Sequence, residues 1–429
     1  MTRILTIIVA VLIVAAALAG WFFFWPATLT PVAASSSQPS GAALIARGAY
    51  LTTAADCESC HTAPGGKPFA GGRAFKLPFG TIYSTNITPD AATGLGQWSD
   101  AEFVRALHQG IGRAGEDLYP ALPYTSYALL STDDVLAIRA YLATLRPVAT
   151  QPPANTLSFP FNQRFVLRAW KLLFMPTQPW QPSPERDAQW NKGAYLVEAL
   201  AHCGECHTPR NFMFAMKRNQ KFAGAVVDGY KAYNITPDAE TGIGRWSDAE
   251  ISAYLATGHA PGHGGASGGM AEAIKFSLGR LPREDIAAIT AYLKTVPPQR
   301  STLSPQVNTN PATLASAAPW VPGDSSGADP TGLRIFASAC ASCHGWDGSG
   351  RQTGNASLRG ARSVNDVEGV NVVRTVLQGF SVSSPTGSMP AFAAAYSNDE
   401  IAAVTNYVIG HFGGKPGRVT PQDVKAARD

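Results

Sequence analysis

The chain has 429 residues, which is long enough for about three domains of ordinary size. Hydrophobic residues make up 45% of it and charged residues only 15%, so the composition supplies folded cores and excludes global disorder. The net charge of +4 is too small to indicate a nucleic-acid-binding protein, and we expect no nucleic-acid partner.

The first predicted element is a membrane span. The segment from Ile4 to Trp25 carries no charge, and as a helix it is about 33 Å long, enough to cross a bilayer core. Arg3 precedes it and aromatic residues crowd its end, so the positive-inside rule sends the remainder of the chain out of the cytoplasm. We predict an anchor over residues 1–30 in a bacterial inner membrane, with the other domains in the periplasm. A cleaved signal peptide is the alternative interpretation.

The cysteines form the second pattern. All six lie in Cys-x-x-Cys pairs, and a histidine follows each pair: Cys57, Cys60 and His61; Cys203, Cys206 and His207; Cys340, Cys343 and His344. This is the attachment signature of c-type haem. Two thiols one helical turn apart add to the two vinyl groups of one haem, and the adjacent histidine then lies under the iron as its proximal ligand. We predict three covalently bound haem c groups on these residues.

Zinc, thioredoxin-like redox chemistry and disulfides fit this pattern less well. A zinc site usually combines two such pairs, or a pair and two histidines, at short separation. Here the pairs begin at Cys57, Cys203 and Cys340, far apart in the chain. A thioredoxin-like motif has no obligatory histidine, and no cysteine is left over for a structural disulfide.

The surroundings of the three motifs repeat. A short apolar segment precedes each motif, and an amphipathic segment that begins with acidic residues closes each unit; in the last unit Ser397 and Glu400 form a capping-box pattern. We therefore predict a mainly α fold, with three tandem c-type cytochrome domains in which the haem-bearing helix crosses the closing helix. The predicted domains are 42–150, 186–300 and 329–414; 151–185 and 301–328 are Pro-rich linkers, and 415–429 is a C-terminal tail.

The first two units share a further string. Asn86-Ile87-Thr88-Pro89-Asp90 recurs as Asn234-Ile235-Thr236-Pro237-Asp238, and each copy is followed by Thr-Gly, a tryptophan and Ser-Asp. The third unit lacks the string. Packing against a haem edge and docking of a partner are both compatible with it.

The first linker contains a basic, amphipathic segment from Arg164 to Phe174. Such a segment is typical of a helix in the membrane interface. A helix packed on the neighbouring domain, or on a partner subunit, is the alternative.

Electron-transfer haems usually carry methionine opposite the histidine. Met389 precedes a proline in a predicted loop ahead of the last helix, and Met270 follows a pair of glycines after the second motif, so we predict these two as the distal ligands of the third and second haems. Met213 and Met216 follow the second motif too closely to reach the far face of a haem, and we predict that they pack in the core.

The first unit has no methionine between residues 42 and 150. Its only histidine besides His61 is His108, on a predicted helix. The first haem is therefore either five-coordinate or water-bound, or else bound by His108.

The exported region resembles the triple-haem cytochrome c subunit of membrane-bound bacterial dehydrogenases, of the kind found in acetic acid bacteria. Those periplasmic complexes oxidise alcohols, aldehydes or sugars and reduce ubiquinone. The matching strings span all three units: Tyr83-Ser84-Thr85-Asn86-Ile87-Thr88-Pro89-Asp90, Leu118-Tyr119-Pro120, Pro123-Tyr124, and His202-Cys203-Gly204-Glu205-Cys206-His207-Thr208-Pro209-Arg210.

This resemblance implies an electron-transfer subunit without a substrate-oxidising site of its own. It implies a catalytic partner that carries molybdopterin with iron–sulfur clusters, pyrroloquinoline quinone or flavin, and ubiquinone as the acceptor. The family pattern also places an iron-binding methionine where this sequence has Leu122. Compact size and the anchor favour an aldehyde-oxidising molybdenum complex over an alcohol-oxidising quinoprotein. A free-standing anchored carrier, and a haem enzyme that uses an open first haem, are the alternative functions.

Overall fold

The computed structural model describes residues 2–25, 28–176, 178–303, 305, 330–351, 353–381 and 388–428. They belong to two compact units. The first unit comprises residues 1–181 and 198–202, and the second comprises residues 182–197 and 203–429. The predicted linker 301–328 lies outside the described residues except for 301–303 and 305.

The N-terminal helix α1 (Thr2–Phe24) agrees with the predicted span. It has 23 residues, none of them buried, and among the described residues it is the one helix long and apolar enough to cross a bilayer. A signal sequence at an N-terminus has the same length and composition, so this helix alone identifies an anchor candidate.

The first unit is built mainly from short helices. Helix α2 packs against the closing helix α6, and a two-stranded antiparallel hairpin follows the first haem motif. After α1 its elements are α2 (Gly41–Ala54), α3 (Cys57–Cys60), β1 (Ala74–Leu77), β2 (Gly80–Tyr83), α4 (Asp100–Gln109), α5 (Tyr124–Tyr127), α6 (Thr132–Leu142), a 3₁₀ turn (Arg164–Val166) and α7 (Leu167–Phe174).

The second unit contains two further pairs of crossing helices, α8 with α12 and α13 with α17. Its helices are α8 (Ala188–Tyr195), α9 (Cys203–His207), α10 (Asp248–Thr257), α11 (Gly268–Phe276), α12 (Arg283–Leu293), α13 (Pro330–Ile335), α14 (Ala341–His344), α15 (Arg362–Asn365), α16 (Val370–Gln378), α17 (Asn398–Gly413) and α18 (Pro421–Arg428). Single π turns at Leu196–Leu200 and Phe336–Cys340 precede the second and third motifs, and 3₁₀ turns lie at Arg218–Gln220, Leu278–Arg280 and Gly354–Ala356.

Three small antiparallel hairpins complete the second unit. Their strands are β3 (Ala225–Val227) with β4 (Tyr230–Ala232), β5 (His259–Ala260) with β6 (Gly264–Gly265), and β7 (Phe380–Ser381) with β8 (Ser388–Met389). The prediction of a mainly α protein is confirmed. The predicted tail 415–429 contains a helix, α18, which the sequence did not indicate.

The helix that precedes each haem motif, α2, α8 or α13, crosses its closing helix at a glycine. A Cβ atom on Gly48 would lie 2.0 Å from the carbonyl oxygen of Ala137, and one on Gly193 would lie 1.9 Å from that of Ala288. In the third pair a Cβ on Gly332 would lie 2.3 Å from the carbonyl oxygen of a residue in α17. The two backbones are therefore in direct contact, which only glycine permits. The expected crossing is present in all three cases, but each crossing helix ends before the first cysteine of its motif, so it precedes the motif and does not carry it.

Candidate haem sites

The first motif lies on a single helical turn. Cys57 and Cys60 begin and end α3, and His61 follows directly. The Nδ1 atom of His61 lies 2.7 Å from the carbonyl oxygen of Thr85. Because a carbonyl only accepts, Nδ1 carries the proton and donates it, which leaves Nε2 as the free lone pair of a neutral imidazole. Iron-binding histidines in proteins are oriented in this way.

The second and third motifs repeat that bond. Nδ1 of His207 lies 2.6 Å from the carbonyl oxygen of Tyr233, and Nδ1 of His344 lies 2.6 Å from that of Ala356. Burial lowers the pKa of all three histidines, which keeps them neutral as ligands must be. The six cysteines are free thiols. The residues present therefore fit haem c at each motif: two thiols for attachment and one oriented imidazole for the iron.

The string shared by the first two units positions the carbonyl that holds the histidine. Thr85 directly precedes Asn86, whose Oδ1 accepts from the backbone N–H of Thr88 at 2.9 Å. Its Nδ2 donates to the carbonyl of Val148 at 2.7 Å and to the hydroxyl of Thr93 at 3.0 Å. The asparagine thus ties its own loop to the chain beyond the closing helix. We conclude that the string serves the proximal side of the first haem site.

The second copy makes the same bonds. Asn234 follows Tyr233, and its Oδ1 accepts from the backbone N–H of Thr236 at 2.8 Å. Its Nδ2 donates to the carbonyl of Gln299 at 2.6 Å and to the hydroxyl of Thr241 at 3.0 Å. Sequence reasoning found the string but not the role of Thr85 and Tyr233, because a backbone carbonyl leaves no mark in the residue type.

The end of the string begins a helix. Ser99 accepts from the backbone N–H of Glu102, and the Glu102 carboxylate accepts in return from the backbone N–H of Ser99 at 2.7 Å. Ser247 forms the same capping box at α10. Sequence reasoning missed these two boxes. The box predicted at Ser397 is present at the start of α17.

The predicted distal methionines both lie in the second unit. Met270 is in the first turn of α11 and Met389 is in β8, and both are half-buried. Met216 lies beside the second motif, since its sulfur is 3.5 Å from where a Cβ on Gly204 would be. Met216 is half-buried there.

No methionine lies between residues 42 and 150, so the first predicted domain offers no thioether for the distal side of its site. Leu122 lies half-buried in the loop before α5, and its carbonyl accepts from the backbone N–H of Tyr124 at 2.7 Å. His108 lies in α4, where burial lowers its pKa and a hydrogen bond to the backbone of Leu130 acts in the opposite direction. The His108 Nε2 atom is buried and has no hydrogen-bond partner among the described residues. An iron ligand requires an oriented imidazole with a free Nε2. His108 therefore stays one of the predicted alternatives for the distal ligand of the first site.

A buried carboxylate, which sequence reasoning missed, ties the Leu122 loop to α7. Asp117 lies just before the loop and is 5% exposed. Arg168 Nε lies 3.2 Å from one carboxylate oxygen of Asp117, and Lys171 Nζ lies 2.5 Å from the other. Arg164 donates to the Asp117 carbonyl at 2.7 Å. Three cations of the amphipathic segment therefore converge on one residue of the first unit.

A second missed residue, Arg362, links the second and third motifs within the second unit. Its guanidinium donates to the carbonyls of Thr241 and Gly242, in the string that serves His207. Burial lowers the pKa of Arg362 to about 10, so it remains charged at neutral pH. After burial and the Tyr233 hydrogen bond, the charge of Arg362 is a further influence on the pKa of His207, which it lowers.

An ion pair reinforces this contact. Lys231 Nζ, in β4, lies 2.7 Å from the carboxylate of Asp366 and 2.6 Å from that of Glu368. The hydroxyl of Tyr233, whose carbonyl holds His207, lies 3.3 Å from the same Asp366 carboxylate. The chain after the third motif thus contributes charged groups to the surroundings of the second.

Comparison with known proteins decides the family. The family model "Cytochrome c" matches residues 45–146, and the model "Cytochrome C oxidase, cbb3-type, subunit III" matches residues 327–408. The fructose dehydrogenase cytochrome subunit of Gluconobacter japonicus is 38% identical over 415 residues, which cover 93% of this chain and 84% of that protein. The chain belongs to the family of cytochrome c subunits of bacterial dehydrogenase complexes.

Two more relatives are named for other dehydrogenases. The cytochrome c subunit of alcohol dehydrogenase (quinone) from Gluconobacter oxydans is 35% identical over 92% of this chain and 84% of its own length. A nicotinate dehydrogenase subunit from Pseudomonas putida is 40% identical over 86% of this chain, but the match spans only 30% of that longer protein. The predicted resemblance, the covalently bound haem c and the electron-transfer role are confirmed.

Proposed function

We propose that the chain binds three haem c groups and carries electrons from a catalytic dehydrogenase subunit to ubiquinone. The observation that supports this best is the threefold repetition of one proximal arrangement, in which His61, His207 and His344 each donate from Nδ1 to a carbonyl. Haem, when bound, supplies one-electron transfer; the protein's part is to fix the imidazoles and shield the sites. The proposed domains are 42–150, 186–300 and 329–414.

The ligand sets we propose differ among the sites. Met270 and Met389 complete the second and third sites, while Leu122 replaces the corresponding ligand at the first. The sixth position of the first site is either open or taken by His108. No catalytic residue for substrate oxidation is assigned to this chain.

The proposed partner oxidises an aldehyde or an alcohol and carries molybdopterin with iron–sulfur clusters, pyrroloquinoline quinone or flavin. Of these, we favour an aldehyde-oxidising molybdenum complex. The relatives named for fructose, alcohol and nicotinate dehydrogenases support a catalytic partner, and they differ in the substrates that their names state.

Co-purification tests this assignment. A C-terminal affinity tag on the full chain should recover a larger cofactor-bearing subunit from detergent-solubilised membranes, and addition of its substrate should reduce the haems anaerobically. Haem content should be three per chain, and Cys203→Ala with Cys206→Ala should lower it to two. Recovery of the chain alone, with haems that no alcohol or aldehyde reduces, would favour the free-standing carrier.

An open first haem raises a second candidate function, because a five-coordinate iron reacts with peroxide. Leu122 is the observation that favours it. Peroxide turnover by the purified subunit that disappears in Leu122→Met, with haem content unchanged, would support the haem enzyme over the carrier.

We further propose that α1 remains in the mature protein and anchors it in the bacterial inner membrane, with the haem domains in the periplasm. The apolar helix, the preceding Arg3 and the aromatic end support this orientation. The intact mass of the purified subunit should include residues 2–24. A mature start at Gly20 or Ser35 would contradict the anchor.

A further inference from the structure

The outward face of the segment around α7 is apolar. Phe165, Val166, Leu172 and Leu173 are all exposed, Leu172 by 74% and Leu173 by 61%, and the half-buried Ala169 lies between them. Spacings of three, four and seven residues place them in one stripe along the helix. A helix on a water-exposed surface normally shows the opposite arrangement, with its charged residues outward.

The basic residues of the same segment point into the protein. Arg168 and Lys171 pair with the buried carboxylate of Asp117, and Lys171 also donates to the carbonyls of Gln109 and Gly110 at 3.1 and 3.2 Å. Arg164 lies over the ring of Tyr119, 4.5 Å from its centre. The basic side chains that make the sequence amphipathic therefore interact with groups inside the first unit, and the outer stripe carries no charge.

The stripe is continuous with the end of α1. The ring of Phe165 lies 5.9 Å from that of Phe23 and 5.3 Å from that of Phe24. Arg168 donates to the carbonyls of Phe22 at 3.0 Å and Trp25 at 2.6 Å. The last turn of α1 has no further helical partners for these carbonyls, so Arg168 satisfies groups that would otherwise need water.

We propose that this stripe, Phe165, Val166, Ala169, Leu172 and Leu173, rests on the lipid surface of the bilayer that α1 enters. The proposal rests on the proposed retention of α1. The stripe lies next to the apolar end of α1, because Phe165 contacts Phe23 and Phe24, so a bilayer surface at that end of α1 is close to the stripe. Phe159, earlier in the same linker, is a further exposed apolar side chain, with 78% of its surface exposed.

Two consequences follow from an apolar contact between the stripe and the bilayer. The bilayer contact depends on apolar side chains while the cations are paired with Asp117, so high salt should leave it unchanged. The stripe also gives the first unit a second point of attachment beside α1, which restricts its rotation over the membrane.

Photo-crosslinking in the complete complex tests the proposal. The full-length protein carries p-benzoylphenylalanine at position 172 and is reconstituted in phosphatidylethanolamine and phosphatidylglycerol vesicles with alkyne-tagged acyl chains. We expect lipid adducts at this position in both low and high salt. Position 12 in α1 is the positive control, and position 212 is the matched control, because Phe212 is an equally apolar surface residue, 91% exposed, in the second unit.

The outcomes separate the stripe from the anchor. Lipid adducts at position 12 with none at position 172 would overturn the stripe and leave the anchor intact. An adduct between position 172 and the polypeptide of the catalytic subunit would also overturn it, in favour of a protein interface. An intact mass without residues 2–24 would refute the anchor, while an adduct at position 172 would still support the lipid contact.

Discussion

The loops that hold His61 and His207 are built from the same string and make the same hydrogen bonds, yet their surroundings differ. At the second site Arg362 donates to the carbonyls of Thr241 and Gly242. In the first unit the corresponding threonine, Thr93, instead lines a cavity of about 600 Å³ together with Thr85, Asn86 and residues 151–155. The buried guanidinium of Arg362 therefore binds one loop directly, whereas the other loop lines a cavity that has Arg164 in its wall.

This difference indicates which parts of two similar candidate haem sites can vary. The proximal side is kept, because moving the carbonyl of Thr85 or Tyr233 would release the histidine that it orients. The distal residue and the nearby charges are free to change, and both act on the iron's potential. We therefore expect three haems with similar proximal ligands and different potentials.

The largest effect should come from Met270 and Met389, the proposed distal ligands. Met270→Leu and Met389→Leu each remove a thioether that favours ferrous iron, and the potential of the affected haem should fall by roughly 100–300 mV within the range of about 0.8 V that axial ligands span. Redox titration of the purified subunit measures this. The near-infrared charge-transfer band of His–Met haem should shrink with each substitution.

Met216→Leu is the matched control for these two variants, because its sulfur lies beside Gly204 in the second motif. It should leave all three potentials and the charge-transfer band unchanged. If the charge-transfer band is lost in Met216→Leu and unchanged in Met270→Leu, Met216 is the distal ligand of the second haem and Met270 is a packing residue.

The next largest effect should come from the glycines at the helix crossings, a feature that both units share. Gly48→Ala and Gly193→Ala should each destabilise their own unit by about 1–3 kcal/mol or more, because the new Cβ would meet a backbone carbonyl at 2.0 or 1.9 Å. Thermal unfolding followed by circular dichroism measures the loss. Gly410→Ala in α17 is the control, since nothing lies within 4 Å of its Cβ position. It should be neutral or slightly stabilising; equal losses in all three variants would argue against the close helix crossings.

A smaller effect on haem potential should distinguish the site at His207 from the site at His61. Arg362→Gln removes a cation that acts on His207. For any two unit charges at an assumed separation of about 10 Å and an effective dielectric constant of about 20, the interaction is roughly 1.7 kcal/mol, or about 70 mV. We expect the potential of the second haem to fall by that order in a redox titration, while the first haem does not change.

Arg359→Gln provides the control for Arg362. The Arg359 side chain lies three residues earlier and is paired with the Asp347 carboxylate at 3.1 Å, so its charge is already compensated. The second haem should keep its potential in this variant. Equal shifts in both variants would mean that Arg362 acts through the fold and not through its charge.

Several elements of the fold could be predicted from local sequence patterns. The motifs, the closing helices and the apolar α1 were predictable because each is encoded within about 20 neighbouring residues. The bonds that shape the sites join residues far apart in the chain, as Arg168 does with Asp117 and Arg362 with Thr241. A basic residue within an amphipathic segment predicts an exposed charge, and only the fold shows that a buried carboxylate draws it inward.

The central claim is that one proximal arrangement is combined with different distal sides. A measurement on the distal side of the proposed first haem tests this claim most directly. We would record electron paramagnetic resonance spectra of the oxidised full-length protein and measure carbon monoxide binding to its reduced form. We predict either one high-spin haem that binds carbon monoxide beside two low-spin haems, or one bis-histidine haem whose signal His108→Ala converts to high spin. Three low-spin haems, none altered by His108→Ala and none binding carbon monoxide, would contradict the account.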